Sequence, residues 1–152
     1  DRLDYNRLET VKAVLQKKGI ELPEHRIYIT DKRNQIAGVE GMNYFLEKKD
    51  FPTAFVASYD EICIGALKCA QDFGFKAPED FSIFSFDNIR ISEYVFNGIT
   101  TIQIPIHKVA DIAISTIMNE IVNGIDKSKT ITRITSEAVI RNTTGPVPDR
   151  KR

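Results

Sequence analysis

The polar residues suited to chemistry gather in three short clusters, each behind an apolar run. Asp31-Lys32-Arg33-Asn34 follows Ile27-Tyr28-Ile29, Ser58-Tyr59-Asp60-Glu61 follows Ala54-Phe55-Val56-Ala57, and Asp87-Asn88 follows Phe81-Ser82-Ile83-Phe84-Ser85-Phe86. A carboxylate accepts hydrogen bonds from hydroxyl groups, and a guanidinium presents a planar fork of donors to paired oxygens. Asp, Asn, Arg and Tyr brought to one edge would therefore line a cleft for a small polar ligand. Each cluster also has a plainer use: Asp60 fits a helix N-cap, and Asp87-Asn88 fits a turn.

Covalent chemistry is poorly provided. The glycines never form GxGxxG or GxxxxGK[ST], and no GxSxG nucleophile elbow occurs. Gly38 and Gly41, three apart in a helical pattern, suit close packing better than phosphate binding. The only histidines, His25 and His107, stand alone at polar boundaries and assemble no Ser-His-Asp or Cys-His site. Cys63 and Cys69 lie on different faces of one helical pattern, about 240° apart, and read as small buried apolar residues. No metal site, no cofactor and no enzymatic activity are expected. Reduced thiols fit a cytoplasmic address. No apolar run approaches the roughly 18 residues of a membrane span, and no signal peptide is visible.

These clusters need a scaffold, and composition supplies one. The 152 residues are 42% hydrophobic and 28% charged, ordinary for a globular domain. Lys plus Arg and Asp plus Glu are both 21, so the basic excess of a nucleic-acid binder is missing. Helical periodicity marks 7–18, about 35–49, 60–73 and about 106–123, with a short helical turn near 91–95. Extended segments fall at 27–29, 54–57, 81–86, 100–102, 130–134 and 136–141. The uninterrupted apolar run at 54–57 predicts a strand covered on both faces. The alternation reads as an α/β fold, a mainly parallel sheet flanked by helices. In such sheets ligands bind at the carboxyl ends of the strands, where the three clusters fall.

The run FPTAFVASYDEICIGALKCAQDFGFKAPEDFSIFSFDNIRISEYVFNGITTIQIPIHKVADIAISTIMNEIVNG resembles the effector-binding region of the lactose/galactose-repressor (LacI/GalR) family. That family has a Pro-Thr-Ala strand, an Asn-Asp pair opening a Gly-Ala helix, a Pro-Glu-Asp loop, a strand ending in Phe-Asp-Asp or Tyr-Asp-Asn, then Leu-Thr-Thr and a Gln-Pro helix. EAVIRNTTGP is similar to its closing segment, and NRLETVKAVLQKKGI to its Arg-Leu-x-Gly-Phe helix. The resemblance implies a truncated type I periplasmic-binding-protein-like subdomain. Residues 1–104 and 125–145 would form the C-terminal effector-binding subdomain. Helix 105–124 would belong to an N-terminal subdomain outside this chain, and 146–152 would be a polar tail. It implies a sugar or sugar-phosphate effector, a homodimer, and operator DNA bound through a helix-turn-helix headpiece that this chain lacks. An alternative is a sugar-binding protein of an ABC-type transport system, which shares the fold.

The resemblance also places a site. Arg7 matches the arginine that binds effector hydroxyls or carbonyls, Asp87 the acidic residue that accepts from the effector, and Asp60 the aspartate of Asn-Asp, often a structural cap. Two positions depart from the pattern. Tyr59 stands for the asparagine of that pair, and Arg33 for the aromatic residue lining the site. Arg33 either favours an anionic or phosphorylated sugar or points to solvent. Dimerisation is expected through helices near 38–48 and 61–73, where Met42, Phe45, Ile62, Leu67 and Phe73 exceed the needs of one sheet face. The helix 106–123 is apolar well beyond one stripe. It is expected to pack on a neighbouring copy or to turn back onto its own subdomain, with Ile104-Pro105 as hinge.

Overall fold

The computed structural model describes residues 2–48, 50–124 and 131–149. Helix α1 (Arg2–Lys17) ends where Gly19 turns left-handed at φ +71°, and Ile20 N–H reaches back to the Leu15 carbonyl. Helix α2 (Gln35–Leu46) is opened by the Asn34 side chain, which accepts from Ala37 N–H at 3.4 Å. Strand β1 (Ala54–Val56), helix α3 (Asp60–Asp72), strand β2 (Ser82–Asp87), strand β3 (Thr100–Gln103), helix α4 (Ile106–Asn123) and strand β4 (Glu137–Val139) follow, with single turns of 3-10 helix at Glu24–Arg26 and Arg90–Glu93.

The sheet runs in the order β1-β2-β3-β4. β1 and β2 pair in parallel, as do β2 and β3, while β4 is antiparallel to β3. This is the mainly parallel α/β architecture expected. The core lies between the sheet and the α2–α3 layer, around Phe81, Ile83, Cys63, Ala70, Met42 and Ile99. The rings of Phe51, Phe55, Phe75 and Phe81 extend it, with successive centroids 4.9–5.7 Å apart. α2 and α3 approach until their backbones touch. A methyl group on Gly38 would lie 1.9 Å from the Ile62 carbonyl oxygen, and one on Gly65 would lie 1.9 Å from that of Gln35. Only glycine allows that contact, so Gly38 serves packing, as expected.

Several expectations fail for identifiable reasons. Residues 27–29 join no ladder. Tyr28 instead stacks at 5.5 Å on Tyr44, whose hydroxyl donates to the His25 carbonyl at 3.2 Å. β1 is therefore the edge strand, with Phe55 half-buried and Val56 exposed, rather than covered on both faces. Of the segment at 130–134, residue 130 lies outside the described residues and 131–134 form no strand. The apolar residues assigned to a dimer face are mostly consumed within the chain. Met42 and Leu67 are buried, Ile62 packs on the core, and Phe45 meets Phe55 edge-on at 5.2 Å; of the five, Phe73 alone is well exposed.

α4 begins through a tight turn. Pro105 sits at φ −79° and ψ 68°, and Ile106 N–H donates to the Ile104 carbonyl at 2.8 Å, an inverse γ-turn between β3 and the helix. The helix does not turn back onto the sheet. None of its residues is buried, Ile112 is half-covered, and Ile117 and Ile121 are 56% and 72% exposed.

Candidate functional site

Four of the five expected site residues meet at the carboxyl edge of the sheet. Arg7 comes from α1, Tyr59 from the loop after β1, Asp87 from the last position of β2, and Arg33 from the segment entering α2. The Arg7 guanidinium donates to the Ser58 carbonyl at 2.5 Å and lies 3.6 Å from an Asp87 carboxylate oxygen. It also stands over two rings, 5.0 Å from the Tyr59 centroid and 4.7 Å from that of Phe86. The Arg33 guanidinium sits 5.1 Å from the same Tyr59 centroid. Arg33 thus belongs to the cluster rather than to open solvent alone.

The Arg7 and Asp87 side chains are 21% and 31% exposed, which leaves both within reach of a ligand. At 3.6 Å they attract each other but are longer than a good charge-assisted hydrogen bond of about 2.7–2.9 Å.

Asp60 behaves differently. It is 1% exposed at the first residue of α3, where the helix dipole favours a carboxylate. Its two oxygens accept from Ser85 Oγ, from Thr101 Oγ1 at 2.6 Å, from Ser92 Oγ at 2.6 Å and from Ile89 N–H at 2.9 Å. It follows the N-cap position, which Tyr59 occupies, and its acceptor capacity is spent on four donors from three segments of the chain. Asp60 lies beneath the cluster and ties β2, β3, α3 and the turn at 90–93 together.

That buried carboxylate bears on the exposed one. Asp87 and Asn88 both have positive φ, 109° and 54°, a conformation costly for residues other than glycine. The loop is held in it from below. Asn88 N–H donates to Thr101 Oγ1 at 3.3 Å, Thr101 donates onward to Asp60, and Ile89 N–H reaches Asp60 directly. The Asn88 side chain is held as well, its oxygen by Arg141 Nη2 at 2.8 Å and its amide by Gln103 Oε1 at 3.4 Å. The strained pair is what brings the Asp87 carboxylate to Arg7.

Phe86, Asn88 and Arg141 were not among the expected site residues. Phe86 was legible from alternation, because Ile83 and Ser85 face the core and Phe84 and Phe86 take the other side. Arg141 carried no local signal, since its partners lie about forty to fifty positions away. The histidines stay peripheral: His25 is exposed near Asp50 and His107 is exposed at the start of α4. Among the described residues no group of His, Cys, Asp and Glu is arranged to hold a metal, and no helix is long and apolar enough to cross a membrane.

With this geometry in hand, likeness to known proteins becomes informative. The model of the periplasmic binding protein-like domain family matches residues 1–144. The HTH-type transcriptional repressor PurR of Proteus mirabilis is 30% identical over 125 residues, which are 82% of this chain and 36% of that protein. A transcriptional regulator LacI from Bacillus cereus subsp. cytotoxis superposes with a TM-score of 0.85 at 26% identity, over 93% of this chain and 50% of that one. A sugar-binding transcriptional regulator of the LacI family from Escherichia coli, solved with phosphate, gives 0.78 at 28% identity, over 90% and 48%. The chain therefore spans about half the length of these solved structures and about a third of that curated relative.

Proposed function

The chain belongs to the periplasmic binding protein-like domain family, and from that premise we propose that it is the effector-binding part of a LacI-type transcriptional repressor. One observation carries the reading: Arg7, Tyr59 and Asp87 converge from three separate elements at the carboxyl edge of the sheet. The likeness to regulators named LacI and PurR supports it and disfavours the transport-protein alternative.

The effector is a sugar or sugar phosphate. Asp87 accepts hydrogen bonds from two of its hydroxyl groups, and the Arg7 fork donates to adjacent oxygens. Phe86 and the Ser58 carbonyl fix the Arg7 guanidinium. Asp60 acts as a positioning residue for the Asp87-Asn88 turn. No group here is set up as nucleophile or base, so the ligand is bound and released unchanged. Its regulatory effect comes from binding two states of the protein unequally. Operator DNA is contacted by a headpiece outside this chain, in keeping with the zero net charge. Residues 1–104 and 125–145 make the effector subdomain, and α4 belongs to a second subdomain that would cover its exposed isoleucines. A homodimer rests on the family resemblance, since the core consumes most of the apolar residues of α2 and α3.

The test is to titrate the full-length protein on its operator with a panel of sugars and sugar phosphates. A shift in operator affinity with at least one member, lost in Asp87→Asn, is expected. No response to any member would sink the reading.

A further inference from the structure

The Asp87-Asn88 turn has a support besides Asp60, and it comes from the closing segment of the chain. Arg141 lies two residues past the end of β4, with β3 between it and β2. Its guanidinium spans two oxygens: Nη1 donates to the Ile99 carbonyl and Nη2 to Asn88 Oδ1, both at 2.8 Å. Its backbone N–H donates to Thr100 Oγ1 at 3.0 Å, and Asn142 N–H donates to the Gly98 carbonyl at 3.0 Å. The segment is therefore anchored before it reaches Asn88. Gly98, at φ +96°, leaves room for the arginine stem, since a methyl group there would lie 2.7 Å from Arg141 Cδ.

Asn88 depends on that hold. Its N–H reaches Thr101 Oγ1 only at 3.3 Å, and its amide reaches Gln103 Oε1 only at 3.4 Å. The bond from Arg141 is the shortest of the three and has a charged donor, which makes it the strongest. Turning Asn88 turns Asp87 with it, because one planar peptide joins them. Asp87 sits at φ +109°, and a released aspartate relaxes toward negative φ. That relaxation swings its carboxylate away from Arg7.

We propose that Arg141 is a positioning residue for effector binding: it clamps Asn88 and so holds the Asp87 carboxylate at the site, without touching the ligand. The inference rests on the effector-binding reading above and adds the closing segment of the chain to the supports of that site. Its force lies in the fork. A guanidinium answers Ile99 and Asn88 at once, whereas a lysine ammonium is a point charge on a flexible stem.

The experiment uses the full-length protein, the variants Arg141→Gln, Arg141→Lys and Asn88→Gly, and the double variant Arg141→Gln with Asn88→Gly. Glycine at 88 accepts the positive φ, so that variant removes the side chain without adding strain. Calorimetry with ribose, glucose, fructose and their monophosphates reads affinity, and melting temperatures show whether folding is intact. For any member that the unaltered protein binds, Arg141→Gln and Asn88→Gly should each weaken binding about tenfold. The double variant should also lose about tenfold rather than about a hundredfold, because both changes open one contact. Arg141→Lys should recover only part of the loss. Without ligand, hydrogen exchange in peptides covering residues 87–92 should quicken in Arg141→Gln while α2 and α3 keep their rates. A loss of global stability would move neither the local exchange pattern nor the non-additivity. Unchanged affinity in Arg141→Gln, multiplying losses in the double variant, or full recovery in Arg141→Lys would each overturn the clamp. If Arg141→Gln does not fold, unchanged affinity in Arg141→Lys or in Asn88→Gly overturns it. Binding that is lost in Asp87→Asn but kept in Arg141→Gln would overturn the inference alone. Binding of no member by the unaltered protein would overturn the effector reading and the inference with it.

Discussion

Removing the Asp60 carboxylate should destabilise the domain more than removing any surface charge, and the size of the loss follows from its four donors. In Asp60→Ala the hydroxyls of Ser85, Ser92 and Thr101 can rotate toward other acceptors, but the Ile89 N–H is fixed by the backbone. A stranded N–H costs at most about 1–3 kcal/mol where, as here, it is only partly buried, and each lost hydrogen bond to a charged acceptor about 1.5–3 kcal/mol. Removing the carboxylate also relieves its own desolvation, which offsets part of that sum. The net loss should be about 3–5 kcal/mol, as for other broken buried ionic networks. At this chain length that lowers the melting temperature by roughly 10 °C. Asp60→Asn keeps one oxygen for Ser92 and Ile89 and disturbs only the Ser85 and Thr101 pair, so about 1–2 kcal/mol is expected. Urea unfolding followed by circular dichroism, with unchanged m-values, gives both numbers. A loss below about 1 kcal/mol for Asp60→Ala would refute the reasoning, as would equal losses in the two variants.

Gly38→Ala should cost more than about 3 kcal/mol by urea unfolding, because the added methyl meets the Ile62 carbonyl oxygen at 1.9 Å and the Ala66 nitrogen at 2.6 Å, both backbone atoms. Burial pushes the Cys63 thiol from its ordinary 9.0 up to about 12. The folded chain therefore keeps a proton that the unfolded chain releases above pH 9, and stability should fall as pH rises from about 9 to 12, by at most about 1.4 kcal/mol per unit. In Cys63→Ala that fall should be shallower, and an unchanged slope would show that other groups cause it. Arg7→Ala should weaken binding of the effector roughly ten- to a hundredfold, and Arg7→Lys should restore only part, since a point charge cannot span adjacent oxygens. Calorimetry on the full-length protein reads both.

Legibility from the sequence followed how local each signal was. Helices α2, α3 and α4 announced themselves by apolar spacing, and β2 by alternation. The mainly parallel sheet followed from the order of these elements. What failed depended on distant parts of the chain. The Ile27-Tyr28-Ile29 run looks like a strand, yet a Tyr28–Tyr44 contact docks it outside the sheet. Met42 and Leu67 looked surplus because nothing local reveals that α2 and α3 touch backbone to backbone at Gly38 and Gly65. The cluster of Arg7, Arg33, Tyr59 and Asp87 gathers residues up to eighty positions apart. Strand-end position suggested Tyr59, Asp87 and Arg33, whereas Arg7, on the face of a helix, was found only through resemblance.

Asp60 and Asp87 show how burial divides the work of one residue type. Both follow a strand in sequence, and in composition nothing separates them. Asp60 stands where three hydroxyls and an amide converge and water is excluded, so its charge is fully answered by the chain and cannot respond to a ligand. Asp87 is lifted clear by two consecutive left-handed residues, stays partly exposed and lies 3.6 Å from the Arg7 guanidinium. The strain at Asp87 and Asn88, of order 1–3 kcal/mol per residue, persists only because the network below over-determines the loop. The structural aspartate supplies that network, through Ile89 directly and through Thr101 to Asn88. A rigid, buried carboxylate thus holds a partly exposed one at the carboxyl edge of the sheet.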